Sequence, residues 1–385
     1  MNLSNRGALS LVLIISGWQT VTADSAWPPH QALDARYMAL LQQEQIVGFN
    51  VGIVADGALV FAEAYGVAEL GTDKKLTPDS VLHWASVSKP LVAVAIMQLA
   101  EAGKLSLDDP VTEHVPFFSM ADPRAKDITL RQLLTHTAGM PDVEDYQWDQ
   151  PQHDPEALWR WIKEQTDREL LFAPGTDRQY SNIGFELLGL VIEMVAEESF
   201  EDYMAAHLFV PMQMRTSSFI ASEIPSDLRV KGHVGAPERQ LAAHYPYNRR
   251  HAPSSTLNSS IVDMGNFAMA MLDGGAFGSA RILSPESMKE MWSSAWSWPE
   301  DPKRLSGLGW NLGIPWGGIF AASHGGQDDG FRSFLYLAPA RGVGIFMVSN
   351  DENAPVQLIM RAALEAAFPV EAQMLSDGSA QAGGG

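Results

Sequence analysis

The spacing of apolar residues changes twice along the chain and divides it into three regions. Residues 30–44 have apolar positions at helical spacing, and 47–65 contains two β-rich runs joined by an Asp-Gly turn signal. From about 105 to 300, apolar positions recur mostly every three or four residues, which predicts helices. Strand-like runs return after residue 300, and a helical run over 355–368 follows them.

This order of elements predicts an α/β (α+β) fold built on one antiparallel sheet. Two early strands and three or four late strands share the sheet, the first and last helices flank it, and the middle of the chain forms a large, mostly helical inserted lobe. The predicted late strands are 307–312, 318–323, 331–337 and 342–349. The predicted units are a signal peptide over 1–23, an α/β lobe over 24–104 plus 300–370, a helical lobe over 105–299 and a disordered tail over 371–385.

The first 23 residues resemble a short secretory signal. Arg6 gives a weakly basic start, 8–18 is apolar, and Val21-Thr-Ala23 offers small residues for cleavage. An ordinary buried helix is the alternative for the same stretch. We expect a periplasmic or secreted bacterial protein that is not inserted in the membrane after the signal is removed.

Composition narrows the classes of function. The 385 residues carry a formal net charge of −20, which argues against nucleic acid or an anionic membrane surface as a partner. There is no cysteine, so disulfides, thiolate metal sites and a catalytic thiol are excluded. The ten histidines show no metal-ligand spacing, and we expect neither a metal nor a cofactor. The oligomeric state is not indicated.

The strongest chemical signal is Ser86-Val-Ser-Lys89, directly before an apolar helical run over 91–99. Residues three apart lie on one face of a helix, and a desolvated lysine can activate a serine nucleophile. Ser88 does not have this spacing from Lys89. The alternative is that a serine at this position only caps the helix.

Two further motifs carry candidate chemistry. In Tyr180-Ser-Asn182 the phenol could relay a proton, and the amide could hold a lysine or a substrate carbonyl. The alternative is the start of a helix, with Asn182 as its N-cap. In His324-Gly-Gly326 the glycines would let a ligand approach the backbone, where an N–H could form an oxyanion hole with that of Ser86. The alternative there is a hairpin turn.

Together, in this order, the three motifs resemble the serine β-lactamase and penicillin-binding-protein family. The similar branch contains class C β-lactamases, D-peptidases and β-lactamase-like carboxylesterases, which combine S-x-x-K, Y-x-N and K-T-G or H-x-G in one cleft. The stretches 129–141 and 307–310 are also similar to family segments, and the resemblance spans roughly 30–368. It implies a β-lactamase/transpeptidase-like fold.

The resemblance also implies roles for individual residues. Ser86 would be the acylated nucleophile, and Lys89 and Tyr180 would share proton transfer. The resemblance does not indicate which of the two is the general base. The orienting and substrate-binding positions would be Asn182, His324, Gly325, Gly326, Gln327 and Arg332. Within that set, the Gln327 N–H would complete the oxyanion hole. Arg332 is added from its place on the neighbouring predicted strand, and not from the resemblance, because it could supply the missing positive charge. His136 belongs to the family helix and is interpreted as structural.

Two departures from the family pattern affect the expected substrate. His324 and Gly325 replace the lysine and hydroxyl residue that relatives use to bind a carboxylate, and 253–258 lacks the expected glycine pair. Most of the late tryptophans would pack in the core, and one or two could line an apolar pocket; they are Trp292, Trp296, Trp298, Trp310 and Trp316.

The predicted function is a secreted serine hydrolase that forms an acyl-Ser86 intermediate with an ester or a small amide or peptide, most like a carboxylesterase. One alternative is a peptidase or amidase of the D-aminopeptidase or linear-peptide-degrading type. Another is a slowly deacylating penicillin-binding-like protein or weak β-lactamase.

Overall fold

The computed structural model describes residues 30–293, 296–298, 304–316, 318–369 and 371. The predicted signal peptide lies outside the described residues, as does the predicted tail apart from Glu371. The strands are β1 (Gly48–Ala55), β2 (Ala58–Gly66), β3 (Leu82–His83), β4 (His233–Val234), β5 (Gln240–Leu241), β6 (Asn258–Ser259), β7 (Ala276–Phe277), β8 (Ala280–Arg281), β9 (Trp296–Ser297), β10 (Arg304–Ser306), β11 (Asn311–Trp316), β12 (Ile319–Asp328), β13 (Phe331–Ala338) and β14 (Val343–Ser349).

The main sheet is antiparallel and has eight strands in the spatial order β2-β1-β14-β13-β12-β11-β10-β9. The predicted single antiparallel sheet is therefore confirmed. The prediction of three or four late strands was too low, because six late strands join it. The additional strands β9 and β10 have two and three residues, too few to show an alternating pattern.

The helices are α1 (His30–Gln43), α2 (Ser88–Glu101), α3 (Val111–His114), α4 (Leu130–Leu134), α5 (Ala157–Lys163), α6 (Asn182–Ala196), α7 (Phe200–Met204), α8 (Ala252–Ser255), α9 (Ile261–Leu272), α10 (Pro285–Met291) and α11 (Val356–Ala367). Thr129 caps α4 as predicted, within a capping box. The helix ends before the predicted 139, because His136 and Gly139 both take positive φ.

Both faces of the main sheet are buried. One face packs against α1 and α11, and its apolar positions include Val51, Ile345 and Met347. The alternate positions, such as Phe346 and Val348, belong to a second core that contains α2, α6 and α9. The first and last helices therefore cover one face only. The division into an α/β lobe and a helical lobe, with the boundaries given above, stays a prediction.

Strand β12 contains the third motif, which excludes the alternative of a hairpin turn at His324-Gly-Gly326. The strand runs on to Asp328, so His324-Gly-Gly326 lies inside it and pairs with β13 throughout. The chain reverses at Asp329-Gly330, where Gly330 has a φ of +81°. The motif is thus part of a paired strand that lies against the turn before α2.

Candidate active site

Ser86 and Lys89 lie where a short 3-10 turn over Ala85–Val87 leads into α2. Lys89 Nζ is 3.1 Å from Ser86 Oγ, so the predicted pair is in direct contact. Within 81–97, only Ser86 is partly exposed and every other residue is buried. This places one hydroxyl, backed by a buried amine, at the surface of the core.

Ser88 has a structural position. Its Oγ donates to Ala85 O at 2.7 Å and accepts from the Leu257 N–H at 3.0 Å, and the residue is fully buried. The N-cap of α2 is Val87, which makes no side-chain cap bond. The alternative that Ser86 only caps the helix is therefore wrong.

Lys89 is fully buried and has three oxygen partners. In addition to Ser86, Nζ donates to Asn182 Oδ1 at 2.6 Å and to the Ser254 carbonyl at 2.7 Å. Burial lowers the pKa of Lys89 from 10.5 to about 7, although nearby carboxylates, including Asp142, oppose the shift. A neutral amine here can donate to Asn182 and Ser254 and still accept the Ser86 proton.

The Tyr180-Ser-Asn182 segment is fixed from two sides. Ser181, and not Asn182, caps α6, with its Oγ accepting from Gly184 N at 3.1 Å. Asp142 Oδ1 accepts from both the backbone N and the Nδ2 of Asn182, at 2.7 and 2.9 Å. These bonds orient the Asn182 side chain so that its carbonyl oxygen accepts from Lys89, instead of capping α6.

Tyr180 lies over the amine. Lys89 Nζ is 4.9 Å from the centre of its ring. Burial raises the pKa of Tyr180 above its usual value, and a hydrogen bond with the Ser86 side chain opposes the rise. His136 packs on the same ring at 4.3 Å between centroids, and its Nδ1 accepts from the Ser181 N–H at 3.2 Å. His136 thus supports Tyr180, in agreement with a structural interpretation.

His324 is buried on the side of β12 that faces Tyr180, with 6.3 Å between ring centroids. Nδ1 lies 2.8 Å from Gly325 O, and because a carbonyl only accepts, Nδ1 carries the proton. Burial first, and then the charge of Lys89, lowers the pKa of His324 from 6.5 to about 3. The position that holds lysine in many relatives therefore carries a neutral imidazole.

Gly326 has no room for a side chain. A Cβ built there would lie 2.4 Å from both Trp84 O and Ser333 Oγ, so β12 touches the segment that leads to Ser86. At Gly325 a Cβ would instead meet Phe334 Cδ2 at 3.2 Å, because alternate residues of a strand face opposite ways. Gln327 follows Gly326 and is exposed.

Arg332 is not brought to Ser86. It lies opposite Gln327 in the register of β12 and β13, on the face away from Trp84, and its Nε donates to Glu352 O at 2.7 Å. The neighbouring Ser333 faces the site instead and donates to Trp84 O at 2.7 Å. The idea that Arg332 supplies the missing charge was wrong, because the alternation of the strand turns its side chain away.

These positions match a known family. The sequence model of the family described as Beta-lactamase matches residues 33–368. The chain belongs to this family. Its fold is therefore of the β-lactamase/transpeptidase-like kind, as the three motifs suggested.

The chain has less than 30% sequence identity to the individual relatives considered next. It is 29% identical over 340 residues to Penicillin-binding protein 4 of Amycolatopsis lactamdurans, covering 83% of this chain and 85% of the relative. It is 28% identical over 312 residues to Protein flp of Staphylococcus aureus (strain MW2), covering 80% of this chain. The match spans only 61% of that relative's length.

Two solved structures share the fold. The octameric penicillin-binding protein homologue from Pyrococcus abyssi superposes with a TM-score of 0.75 at 24% identity, covering 88% of this chain and 77% of that one. The crystal structure of SurE superposes with a TM-score of 0.72 at 25% identity, covering 89% of this chain and 76% of the other. At these identities, the likeness supports the fold.

A buried network behind Lys89 was not predicted. Glu186, fully buried on α6, accepts from Ser254 Oγ at 2.9 Å and from the Trp161 indole N–H, and lies 2.7 Å from His251 Nδ1. Arg250 Nε donates to His251 Nε2 at 3.0 Å, so the proton of this neutral histidine is on Nδ1 and points to Glu186. The network fixes the Ser254 side chain, and the Ser254 carbonyl holds Lys89.

One sequence signal could have found this network. Glu186 is the only charged residue in the first eleven positions of the apolar helix α6, and such a carboxylate needs buried partners. The segment 253–258, which lacks the expected glycine pair, supplies one of those partners in Ser254. A second carboxylate, Asp328, whose side chain is 7% exposed, accepts from Ser255 Oγ and lies 2.7 Å from His83 Nε2.

Two of the five late tryptophans, Trp292 and Trp310, pack in the core as expected. Trp310 is 3% exposed, stacks against Phe267 and meets Trp292 edge to face. The guanidinium carbon of Arg178 lies 4.5 Å from the centre of the Trp298 ring, in a cation–π contact. The Trp316 side chain lies outside what the structure describes. Across the described part of the chain, no three His, Asp or Glu side chains are grouped to hold a metal ion.

Proposed function

We propose that this Beta-lactamase family chain hydrolyses short esters through an acyl-Ser86 intermediate, in the manner of a carboxylesterase. The observation that carries the proposal is the contact of Ser86 with a fully buried lysine whose pKa is about 7. About half of such lysines are neutral at neutral pH and can act as a base. Lys89 rather than Tyr180 is the proposed base, because burial moves the phenol's pKa upwards.

In the proposed acylation, Lys89 takes the Ser86 proton while Oγ forms a bond to the ester carbonyl carbon. The ammonium then has hydrogen-bond acceptors in Asn182 and Ser254. Collapse of the tetrahedral intermediate breaks the bond to the leaving oxygen, which takes a proton from Lys89 directly or through Tyr180. Water then attacks the acyl carbon and gives a proton to Lys89. The bond from that carbon to Ser86 Oγ breaks, Oγ takes the proton back, and the acid is released.

The backbone N–H groups of Ser86 and Gln327 are the proposed oxyanion hole. The contact of Gly326 with Trp84 supports this assignment, since it brings the residue after Gly326 close to the turn that carries Ser86. A larger residue at 326 would separate the two segments.

Because His324 is neutral, the site favours substrates without a carboxylate that must be bound by a cation at this position. A pKa of about 3 leaves the His324 side chain uncharged at neutral pH, and Arg332 lies on the other face of the sheet. Penicillins carry a carboxylate that relatives bind at this position. Short aryl esters have good leaving groups and lack that requirement.

A penicillin-binding-like function with slow deacylation is the second candidate. It is supported by the resemblance to a protein named Penicillin-binding protein 4, at 29% identity. A peptidase acting on small or D-amino-acid peptides would use the same nucleophile and stays a further alternative.

The test is intact-protein mass spectrometry after brief exposure to aryl esters, small peptides and β-lactams. We expect an ester-derived acyl group on Ser86 that disappears within the turnover time, and none on the Ser86→Ala variant. A penicilloyl group that persists, with no ester turnover, would favour the second candidate. Labelling at another residue would refute the assignment of the nucleophile.

We also propose that the protein is exported to the periplasm or secreted, and that its partner is a small-molecule ester or peptide. The proposal rests on the signal-like pattern of residues 1–23. No helix of the described residues is long and apolar enough to cross a membrane. N-terminal sequencing of protein made in a bacterial host should find a mature chain beginning near Asp24, whereas retained Met1 in a cytoplasmic fraction would refute export.

A further inference from the structure

A cavity of about 570 Å³ is lined by residues of 148–153 and 221–247 and is not used in the chemistry above. Its aromatic lining consists of Trp148, Tyr245 and Tyr247, and its volume is in the range that holds small ligands. The basic residues in the lining are Arg229, Lys231, His153 and His244, and no described lining residue is acidic. In a chain with a net charge of −20, this is a local reversal of sign.

Three contacts connect the cavity to the catalytic residues. Trp148 stacks on Tyr146 at 4.7 Å between centroids, and Tyr180 is close enough to Tyr146 to contribute to the raised pKa of the Tyr146 phenol. The Tyr245 ring meets His83, three residues before Ser86, edge to face at 6.1 Å. The wall segment at 229–230 is hydrogen-bonded to Val81 on the same approach to Ser86.

The basic groups are held at the wall in ways that leave them able to meet an anion. Arg229 uses one guanidinium nitrogen, Nη1, to bond Ala221 O at 3.0 Å. Lys231 pairs with Glu69 at 2.9 Å, but its side chain is 60% exposed, and such a pair is weak enough to exchange. Other acidic neighbours lie outside the lining: Asp329 is near His244, and Glu201 and Glu223 are near Tyr247.

We propose that this cavity is the acyl-group pocket of the hydrolase and that it takes an aromatic acyl group with an anionic substituent. The rings supply flat apolar surface for an aryl group, and Arg229 and Lys231 supply charge for a carboxylate on it. This inference rests on the proposed function and names its substrate class. It concerns the acyl part of the substrate, and not the carboxylate considered for His324 above.

The test compares kcat/KM for the 4-nitrophenyl esters of phenylacetic acid and of 4-carboxyphenylacetic acid. We expect the parent to prefer the carboxylated ester. The double variant Arg229→Gln with Lys231→Gln should lower that preference about tenfold, since each exposed charge contact is worth roughly threefold. A matched control, Lys104→Gln with Lys126→Gln, changes the net charge equally at exposed positions outside the cavity and should leave the preference unchanged.

A binding measurement separates failure of this inference from failure of the proposed function. Calorimetry with 4-carboxyphenylacetate and the Ser86→Ala protein should show binding that weakens in the Arg229 and Lys231 variant and at high salt. If esters are hydrolysed but neither the preference nor the binding depends on these cations, the inference is overturned and the hydrolase stands. If the acid binds as expected but no ester is hydrolysed, the pocket stands and the proposed function fails.

Discussion

The ionisation of Lys89 gives the sharpest prediction, because it sets the pH at which the hydrolase works. We expect the rate of acylation, measured as kcat/KM for a neutral aryl ester, to rise with pH and level off above an apparent pKa of about 7. Below that value only neutral Lys89 reacts, so the rate should fall tenfold per pH unit. At pH 5 it should be about 1% of its maximum.

The size of the effect follows from the surroundings of Lys89. Lowering its pKa from 10.5 to about 7 corresponds to about 5 kcal/mol of preference for the neutral amine. Burial drives this preference, while Asp142, Asp328 and Glu186 reduce it. The variant Glu186→Gln removes one of these negative charges and should lower the pKa of Lys89 further. The acid limb of its pH profile, where the rate falls with falling pH, should therefore move to lower pH.

Histidines are the competing explanation for a pKa near 7. His136 and His324, which are electrostatically coupled to Lys89, both have lowered pKa values, and that of His324 is about 3. Replacing His324 with glutamine keeps the position neutral and should leave the acid limb in place. An acid limb that vanishes in His324→Gln, or one near pH 10 in the parent, would refute the assignment to Lys89. A direct check is an NMR titration of labelled lysine in the parent and in Lys89→Met.

Four other outcomes follow from the structure. Ser86→Ala should lower kcat/KM by several orders of magnitude, whereas Ser88→Ala should cost stability, seen as a lower Tm, with much smaller loss of turnover; the reverse result would show that the wrong serine was assigned. Tyr180→Phe should slow acylation while leaving circular dichroism and Tm near the parent's values, and unchanged acylation would remove the phenol from the proton route. Gly326→Ala should lower Tm and activity together, because its Cβ would lie 2.4 Å from Trp84 O. His324→Lys should raise kcat/KM for a cephalosporin roughly ten- to a hundred-fold, since a charged hydrogen bond is worth about 1.5–3 kcal/mol, and efficient cephalosporin turnover by the parent would contradict this account of specificity.

Lys89 also makes the stability of the protein depend on pH, with a definite sign. In the folded state its pKa is below that of the unfolded chain, so between about pH 7 and 10.5 the unfolded state binds more protons. The free energy of unfolding should therefore rise with pH across that window. Below about pH 7 the full destabilisation caused by burying Lys89 is present. Urea unfolding of the parent and of Lys89→Met at several pH values should show this rise in the parent alone.

Sequence patterns were sufficient for features that depend on neighbours in the chain. The spacing of Ser86 and Lys89, the Asp-Gly hairpin between β1 and β2 and the cap at Thr129 are all local, and the structure has them. The length of β12 was underestimated because two glycines interrupt its apolar pattern. Those glycines instead follow from a close approach of distant backbone at Gly326.

What sequence could not supply is the direction of a side chain across the sheet and the partners of buried charges. Arg332 is five residues from Gln327, yet the register places both on the face away from Trp84. The carbonyl that holds Lys89 comes from Ser254, 165 residues along the chain. No local pattern encodes either relation, although Glu186 inside an apolar helix signals that some buried partner exists.

The neutral residue at 324 and the base at 89 are linked electrostatically. Lys89 lowers the pKa of His324, and because the interaction is mutual, a positive charge at 324 would lower that of Lys89 further. Histidine removes this repulsion, so burial of Lys89, opposed by Asp142, Asp328 and Glu186, leaves its pKa at about 7. His324→Lys should then shift the acid limb of ester hydrolysis to lower pH while it improves binding of a carboxylate. Loss of one grip on an anion and a Lys89 pKa higher than a lysine at 324 would allow are thus two consequences of the histidine at this position.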